Sequence, residues 1–475
     1  MEKRCKKIYG VGIKMKIKKL DIRWCIFYCA SFIYAVLQIK IVMYVCLVVQ
    51  LMYVARVRRN NRKSIEIINL LLVSLFLPDN YVIIPIVVVA FVACVLKKGF
   101  RKKTVLAVTI VSIYCMMNIC VNQVHFNNIL FSAIYILPFF MLEYEIEYLI
   151  GDKKVANEIV FSIKNWIVIE GLSVILFALT HISIVRSYND MDWVTGTLGS
   201  YQCNVLMIIC SFSLLVFWKE YNNNKQSVMW IILSGILAVS TGAVAYTLIF
   251  ACVILIMVLL SLEIKIPQKT LMIIVLIFGA VAFIQIVPKW MSNEIILLTD
   301  KNYLYNRVTK IRYYENTFVE LPKNEGLYKA VFGTGLGEYS SRAADTCAGG
   351  YISLYDKIAK PFESTIRKKY ISSWNFGGDG LTSTAQASII SIQGELGFIG
   401  LLALMAFFVK KMRNSADVRG KIDVLYFLGL LFLDNTLEFA KYGLIFWMSY
   451  YLCNRMRETR SIEIVKQNGV SEEDE

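Results

Sequence analysis

The chain is poor in the residues from which active sites are usually read. It has two histidines in 475 residues, His125 and His181. Each falls near the end of a predicted helix, where a satisfied interfacial imidazole is the expectation. No CxxC pair and no Cys/His spacing of metal-site type occurs, so neither a structural zinc site nor a redox dithiol is expected. Most of the twelve cysteines, such as Cys46, Cys94 and Cys210, sit in apolar runs, where they act as small hydrophobes. The longest polar stretch contains only Cys347, which excludes a disulfide within it. Acidic residues are also few, 35 against 51 lysines and arginines, for a net charge of +16.

What is abundant is apolar sequence. Hydrophobic residues make up 57% of the chain, and the mean hydropathy is +0.56. No soluble domain of this length needs so much, so most of the chain is expected in lipid. Runs such as Thr104–Val121, Ile129–Ile150, Val244–Leu262 and Leu271–Val287 have bilayer length. The basic start is too long for a cleavable signal peptide, and no small-residue cleavage site follows the first apolar run.

The charge excess points to topology rather than to nucleic acid. Of the 51 basic residues, 35 fall in eight clusters that alternate with pairs of apolar runs, the pattern of loops kept cytoplasmic. With the N-terminus inside, helices are expected at about 24–38, 41–55, 65–78, 81–96, 104–122, 129–149, 165–185, 203–218, 228–240, 243–262, 271–288, 386–408, 422–434 and 436–452. If the first two hairpins were each one long helix, fourteen would become twelve and everything downstream would keep its orientation. The expected fold is therefore all-α: a polytopic transmembrane bundle of 12–14 helices with one large extracytoplasmic loop. The divisions are a basic cytoplasmic N-terminus (1–23), helices (24–288), the loop (289–385), C-terminal helices (386–452) and a cytoplasmic tail (453–475). The loop carries thirteen basic and ten acidic residues, and long loops translocate largely regardless of charge.

Five segments have the composition of a site. In the loop, Arg307, Lys310 and Arg312 sit at helical spacing just above the membrane, a pattern able to clamp a diphosphate. An ordinary basic helix face is the plainer alternative. Next, Phe332-Gly333-Thr334-Gly335-Leu336-Gly337-Glu338 offers a tight turn and close backbone approach through Gly333, Gly335 and Gly337. It lacks the strand–turn–helix setting of a nucleotide fingerprint. At the loop's end, Gln386, Gln393 and Glu395 are polar groups on a helix entering the membrane. There a carboxylate is costly and faces a cavity or a partner. The spacing Gly394, Gly397, Gly400 suits close helix packing. Earlier, Thr195-Gly196-Thr197-Leu198-Gly199 leads to Asn204, and Ser240-Thr241-Gly242-Ala243 breaks an apolar stretch, both being positions where irregular backbone lines an enclosed site. A plain hairpin turn is the alternative for each.

Taken in order, these segments resemble the O-antigen polymerase/O-antigen ligase family of bacterial envelope proteins. Gly196-Thr197-Leu198-Gly199…Asn204 looks like its Gly-rich segment, and Ser240-Thr241-Gly242-Ala243 like its Ser-rich break. Arg307 followed by Phe332-Gly333-Thr334-Gly335-Leu336-Gly337 looks like its loop arginine and turn. Gly394-Glu395-Leu396-Gly397-Phe398-Ile399-Gly400 is similar to its signature after the loop. The likeness covers roughly residues 190–410. Two departures stand out: Gln386-Ala387 occupies the place of a His-Asn pair, and Gly242 that of an arginine. Both count against a ligase.

The resemblance implies a metal-independent glycosyltransferase of the bacterial cytoplasmic membrane, needing no cofactor, with both termini cytoplasmic. It would join oligosaccharide repeat units carried on undecaprenyl diphosphate into capsule or O-antigen. Its catalytic candidates are Arg307, Arg312, Glu338 and Glu395, with Asp345 and Asp379 as further carboxylates. The substrate-binding candidates are Arg342, Gly333, Gly335, Gly337, Gln386 and Asn204. Its partners would be the lipid-linked oligosaccharides, the bilayer, and flippase and chain-length regulator proteins. Other readings are a ligase, a transporter or flippase, and a sensor that uses the loop to bind a partner.

Overall fold

The computed structural model describes residues 21–57, 60–99, 102–151, 153–181, 196–199, 202–221, 225–241, 243–260, 266–267, 269–270, 274, 309–349, 362–372 and 387–455. Among these the structure is helical, without strands. The long helices are α1 (Ile22–Leu37), α2 (Lys40–Arg56), α3 (Asn60–Leu75), α4 (Ile83–Lys98), α5 (Lys102–Asn122), α6 (Phe126–Leu149), α7 (Lys153–Thr180), α8 (Cys203–Tyr221), α9 (Val228–Ser240) and α10 (Val244–Leu260). Four of the long helices, α6, α7, α8 and α16 (Ser388–Asn414), are long and apolar enough to cross a membrane. These apolar helices mark a membrane protein. The short helices between α10 and α16 are α11 (Thr309–Glu315), α12 (Leu321–Glu325), α13 (Leu327–Phe332), α14 (Arg342–Cys347) and α15 (Thr365–Tyr370). A π-helical turn, Asn316–Glu320, joins α11 to α12. The chain closes with α17 (Val418–Leu433) and α18 (Ala440–Arg455).

Local chemistry sets several boundaries. At residues 38–39 the chain turns between α1 and α2: Gln38 adopts a left-handed conformation and its N–H returns to Tyr34 O at 2.8 Å. Helix α7 starts at Lys153, well before the expected 165, because Val155, Ala156, Ile159, Val160 and Ile163 continue its buried stripe. Likewise α17 starts at Val418 rather than 422, since the Asp417 carboxylate accepts the Arg419 N–H at 2.9 Å and caps it. The expected helix 271–288, apart from residue 274, and loop residues 289–308, 350–361 and 373–385 fall outside the described residues.

Aromatic packing supplies two dense points. Trp166 of α7 stacks on Phe76, just past α3, at 4.6 Å and on Phe27 of α1 at 5.6 Å. Phe427 of α17 stacks on Phe446 of α18 at 4.4 Å and on Phe139 of α6 at 5.3 Å. Buried ion pairs tie the end opposite the loop. Lys219 of α8 meets Asp417, which also pairs with Arg419 at 3.2 Å. Arg23 of α1 pairs with Glu66 of α3 at 2.5 Å. These two ties put the ends of α1, α3, α8 and α17 under fixed charges.

Candidate functional site

The site is organised by a break in α16. Gly397 has φ +66° and ψ −169°, non-helical values that split the helix. A broken helix leaves carbonyls without intrahelical donors, and at membrane depth each must find another. The Gly-rich turn after α13 supplies them. Thr334 N–H donates to Gly394 O at 2.8 Å, and Gly335 N–H to Glu395 O at 3.1 Å. From α5, Tyr114 Oη donates to Leu396 O at 2.5 Å, and Asn118 Nδ2 to Phe332 O at 2.7 Å and Glu395 O at 3.2 Å.

The two backbones touch at this crossing. A Cβ on Gly333, which has φ +83°, would stand 2.2 Å from Glu395 O, and one on Gly397 would stand 2.3 Å from Val331 O. Glycine is required at both positions by sterics and by backbone conformation. The two glycine-bearing segments singled out from sequence are thus two halves of one interlock.

Glu395 completes it. The residue is buried. Its Oε2 accepts the Gly337 N–H at 2.7 Å, and its Oε1 accepts the N–H groups of Tyr339 at 3.3 Å and Ser341 at 3.1 Å. Three amides converging on one carboxylate form a backbone nest for an anion, here filled by the protein itself. This occupation makes Glu395 a positioning residue that shapes the turn from 337 to 341.

Glu338 points the other way, toward α6. Its Oε1 accepts the His125 N–H at 3.3 Å and Asn128 Nδ2 at 3.2 Å, at the N-terminal end of that helix. Burial holds its carboxyl above the usual range, while the His125 amide pulls it back. Asn128 Nδ2 also donates to Gly337 O at 2.5 Å. The His125 ring stacks on Phe362 at 4.7 Å, and the His181 ring on Phe177 at 4.5 Å.

Basic side chains gather around this turn. Arg342 opens α14, whose cap is the Ser341 hydroxyl accepting Ala344 N–H at 3.1 Å. The Arg342 N–H donates to Glu438 Oε2 at 2.6 Å, and its guanidinium lies 3.7 Å from the centre of the Phe439 ring. Arg367 donates to Tyr339 O at 2.8 Å and pairs with Asp345 and with Glu363 at 3.4 Å. Lys310 Nζ donates to Leu433 O, and burial draws its pKa down to about 8. Arg312 is half-buried on the same short helix. The turn after α17 is tied to the first turn of α16: Ser388 N–H donates to Asp434 O at 3.1 Å, and Leu437 N–H to Ser388 Oγ at 3.2 Å.

Of the residues expected from sequence, Glu338, Glu395, Arg342, Gly333, Gly335 and Gly337 therefore meet in one place. Arg307, Gln386 and Asp379 lie outside the described residues. Asn204 is in the first turn of α8, where its Oδ1 accepts Cys203 Sγ at 3.6 Å. The Gly196–Leu198 segment beside it forms a 3-10 turn with its own partner. Thr197 N–H donates to Glu170 Oε2 at 3.1 Å, and Thr197 Oγ1 to Phe76 O at 3.0 Å. Lys441 Nζ donates to the next freed carbonyl, Leu77 O, at 2.5 Å. Glu170, Glu438 and Lys441 are charged groups that sequence reasoning passed over. Their signal was present, since each is an ionisable residue inside or beside an apolar run. Among the described residues no cluster of three metal-ligating side chains occurs. No family model matches this chain, and no curated protein matches it.

Proposed function

We propose that this protein is a repeat-unit polymerase acting on undecaprenyl-diphosphate-linked oligosaccharides in a bacterial cytoplasmic membrane. In this reading the loop-bearing end faces outward, and the bundle has fourteen helices, with 271–288 among them. The basic residues support that orientation: Lys219, Lys411 and Arg419 gather at the end away from the loop. The observation that carries the functional reading is the interlock of the 333–341 turn with α16. It sets Arg342 against Glu438 and the Phe439 ring and Arg367 against Tyr339 O, while Lys310 of α11 donates to Leu433 O at the end of α17.

The reaction needs little covalent work from the protein. A sugar hydroxyl of one lipid-linked unit attacks the anomeric carbon of the other. The new C–O bond forms as the bond to the diphosphate oxygen breaks, and the lipid diphosphate leaves. Catalysis then consists of positioning two substrates and stabilising charge on the leaving diphosphate. Arg307 is the first candidate for that charge, followed by Arg312 and Arg342. The hydroxyl proton passes to a carboxylate or to the departing diphosphate. Among the described carboxylates Glu338 is our candidate base: burial raises its proton affinity, and the His125 N–H and Asn128 Nδ2 both bind its Oε1. Asp345, by contrast, pairs with Arg367, and Glu395 takes three amides on its two oxygens; Asp379 is the further candidate. Gln386 and Asn204 are the candidates for holding sugar hydroxyls. Flippase and chain-length regulator proteins would work beside it.

The test is a glycan ladder. Deleting the gene should leave single-repeat lipid-linked material. Wild type should restore long chains, and Arg307→Ala should insert normally without restoring them. Long but unattached polymer in the deletion strain identifies a ligase instead. An unchanged glycan removes the whole reading in favour of a transporter or sensor.

A further inference from the structure

A loop helix facing water is apolar on its inner side and polar on its outer side. The segment from Thr309 to Phe332 departs from this. Tyr313, Thr317 and Leu321 are buried toward the bundle, as expected. Yet the outward side carries Ile311, Phe318 and Val319, the last 53% exposed, and the next helix carries Leu327, 76% exposed, and Tyr328. Exposed apolar side chains grouped on successive turns mark a contact surface.

What covers them follows from their neighbours. Tyr314 bridges the loop and α17: its hydroxyl donates to Phe432 O at 2.7 Å. Its ring stacks between Phe432 at 6.5 Å and Phe318 at 6.1 Å, with interplanar angles of 24° and 20°. Phe432 is itself exposed on α17. The second group adjoins α16 and α5, because Val331 O abuts Gly397 and Phe332 O is held by Asn118. Just past Gly397, α16 exposes Phe398 and Leu402, and α5 exposes Val111, Met116 and Met117. Helix α16 is one of the four long and apolar enough to cross a membrane, and α5 packs against it through Tyr114. Lys323, exposed between the two groups, lies 3.8 Å from the Glu320 carboxylate.

We propose that residues 309–332 lie in the interfacial layer of the membrane, with the Ile311/Phe318/Val319 and Leu327/Tyr328 faces seated in lipid. The segment is then a monotopic collar on a polytopic bundle. It holds Lys310 and the 333–341 turn at headgroup height, the level at which any lipid-borne phosphate sits. This inference needs the membrane but no glycan chemistry, so it stands or fails separately from the ladder experiment.

The test uses the full chain in nanodiscs of phosphatidylglycerol with alkyne-tagged acyl chains. The photo-crosslinker p-benzoylphenylalanine replaces Val319 or Leu327, with Met116 as a lipid-facing control and Lys368, exposed on α15, as a water-facing one. After irradiation, positions 319 and 327 should take up lipid tag to within about twofold of position 116, and position 368 should take up little. Labelling at 319 and 327 no higher than at 368, while 116 labels normally, overturns the proposal. So does cross-linking of 319 or 327 to a second copy or to another segment of the chain.

Discussion

Glu395 illustrates how a carboxylate placed among membrane helices can serve geometry. Its two oxygens replace water for three amides of a turn that has no other acceptors for them. Glu395→Gln keeps the shape but turns half of the acceptor into a donor facing N–H groups. Thermal unfolding of the purified protein should show a loss of roughly 2–3 kcal/mol, accompanied by protease sensitivity within 333–349. A Gln variant as stable and as protected as wild type would mean the carboxylate does not hold the turn. Glu338 yields a prediction in pH. Its carboxyl is held above the ordinary 4.5 by burial, so the folded state binds the proton more tightly than the unfolded one. That contribution is complete below pH 4.5 and is lost as pH rises through the folded value. Melting temperature should therefore fall for wild type relative to Glu338→Gln across that window. Parallel curves would refute the assignment.

At the scale of elements, the Gly397 break decides what surrounds it. One irregular residue in α16 frees three carbonyls, and two other elements are shaped to take them. Ala at either Gly333 or Gly397 meets backbone at under 2.5 Å and adds a Cβ to a left-handed conformation. Each substitution should cost more than about 3 kcal/mol and prevent accumulation of folded protein, read as monodisperse yield in detergent. Normal yield from Gly397→Ala would show that the crossing is looser than described. Helix α5 offers a gentler probe. Tyr114, Asn118 and Asn122 lie on one stripe, spaced by four, and Lys329 Nζ donates to Asn122 Oδ1 at 2.6 Å. Asn118→Leu leaves Phe332 O and Glu395 O without that amide, at about 1–3 kcal/mol. Hydrogen exchange in α5 should rise while that in α17 and α18 stays unchanged.

For the whole molecule, the two ends are held by different means. The loop-bearing end is fastened mainly by side chains and amides donating to freed carbonyls, as at Leu77, Phe332 and Leu433, with Arg367 paired to Asp345 and Glu363 in the loop itself. The opposite end is fastened by ion pairs, and Lys219 to Asp417 joins α8 to the start of α17. Lys219→Met leaves Asp417 buried with Arg419 alone. Because Arg419 still neutralises Asp417, unfolding in detergent should show a loss of about 1–3 kcal/mol, below the cost of a fully orphaned buried charge. Adding Asp417→Asn takes the carboxylate from buried Arg419 as well and should lower stability further. Recovery of stability in the double variant would show that Arg419 does not depend on Asp417.

Much of the architecture was legible along the chain. Runs of apolar residues must be helical because lipid offers backbone groups no partner, and clusters of lysine and arginine mark the ends between them. The same logic picked out Glu395 and the glycines around it, since charge and backbone freedom are costly in such surroundings. What they pair with was decided only by tertiary structure. Whether Glu395 faces a substrate or a turn depends on amides 54 to 58 residues earlier in the chain, and no local pattern carries that information. Glu170, Glu438 and Lys441 were in plain view as isolated charges. Their roles, however, depend on which helix ends come to rest beside them. Local composition decides which segments enter the membrane, because that is a transfer free energy summed residue by residue. The pairing of freed carbonyls with donors is decided by the packed bundle, because it depends on three-dimensional proximity alone.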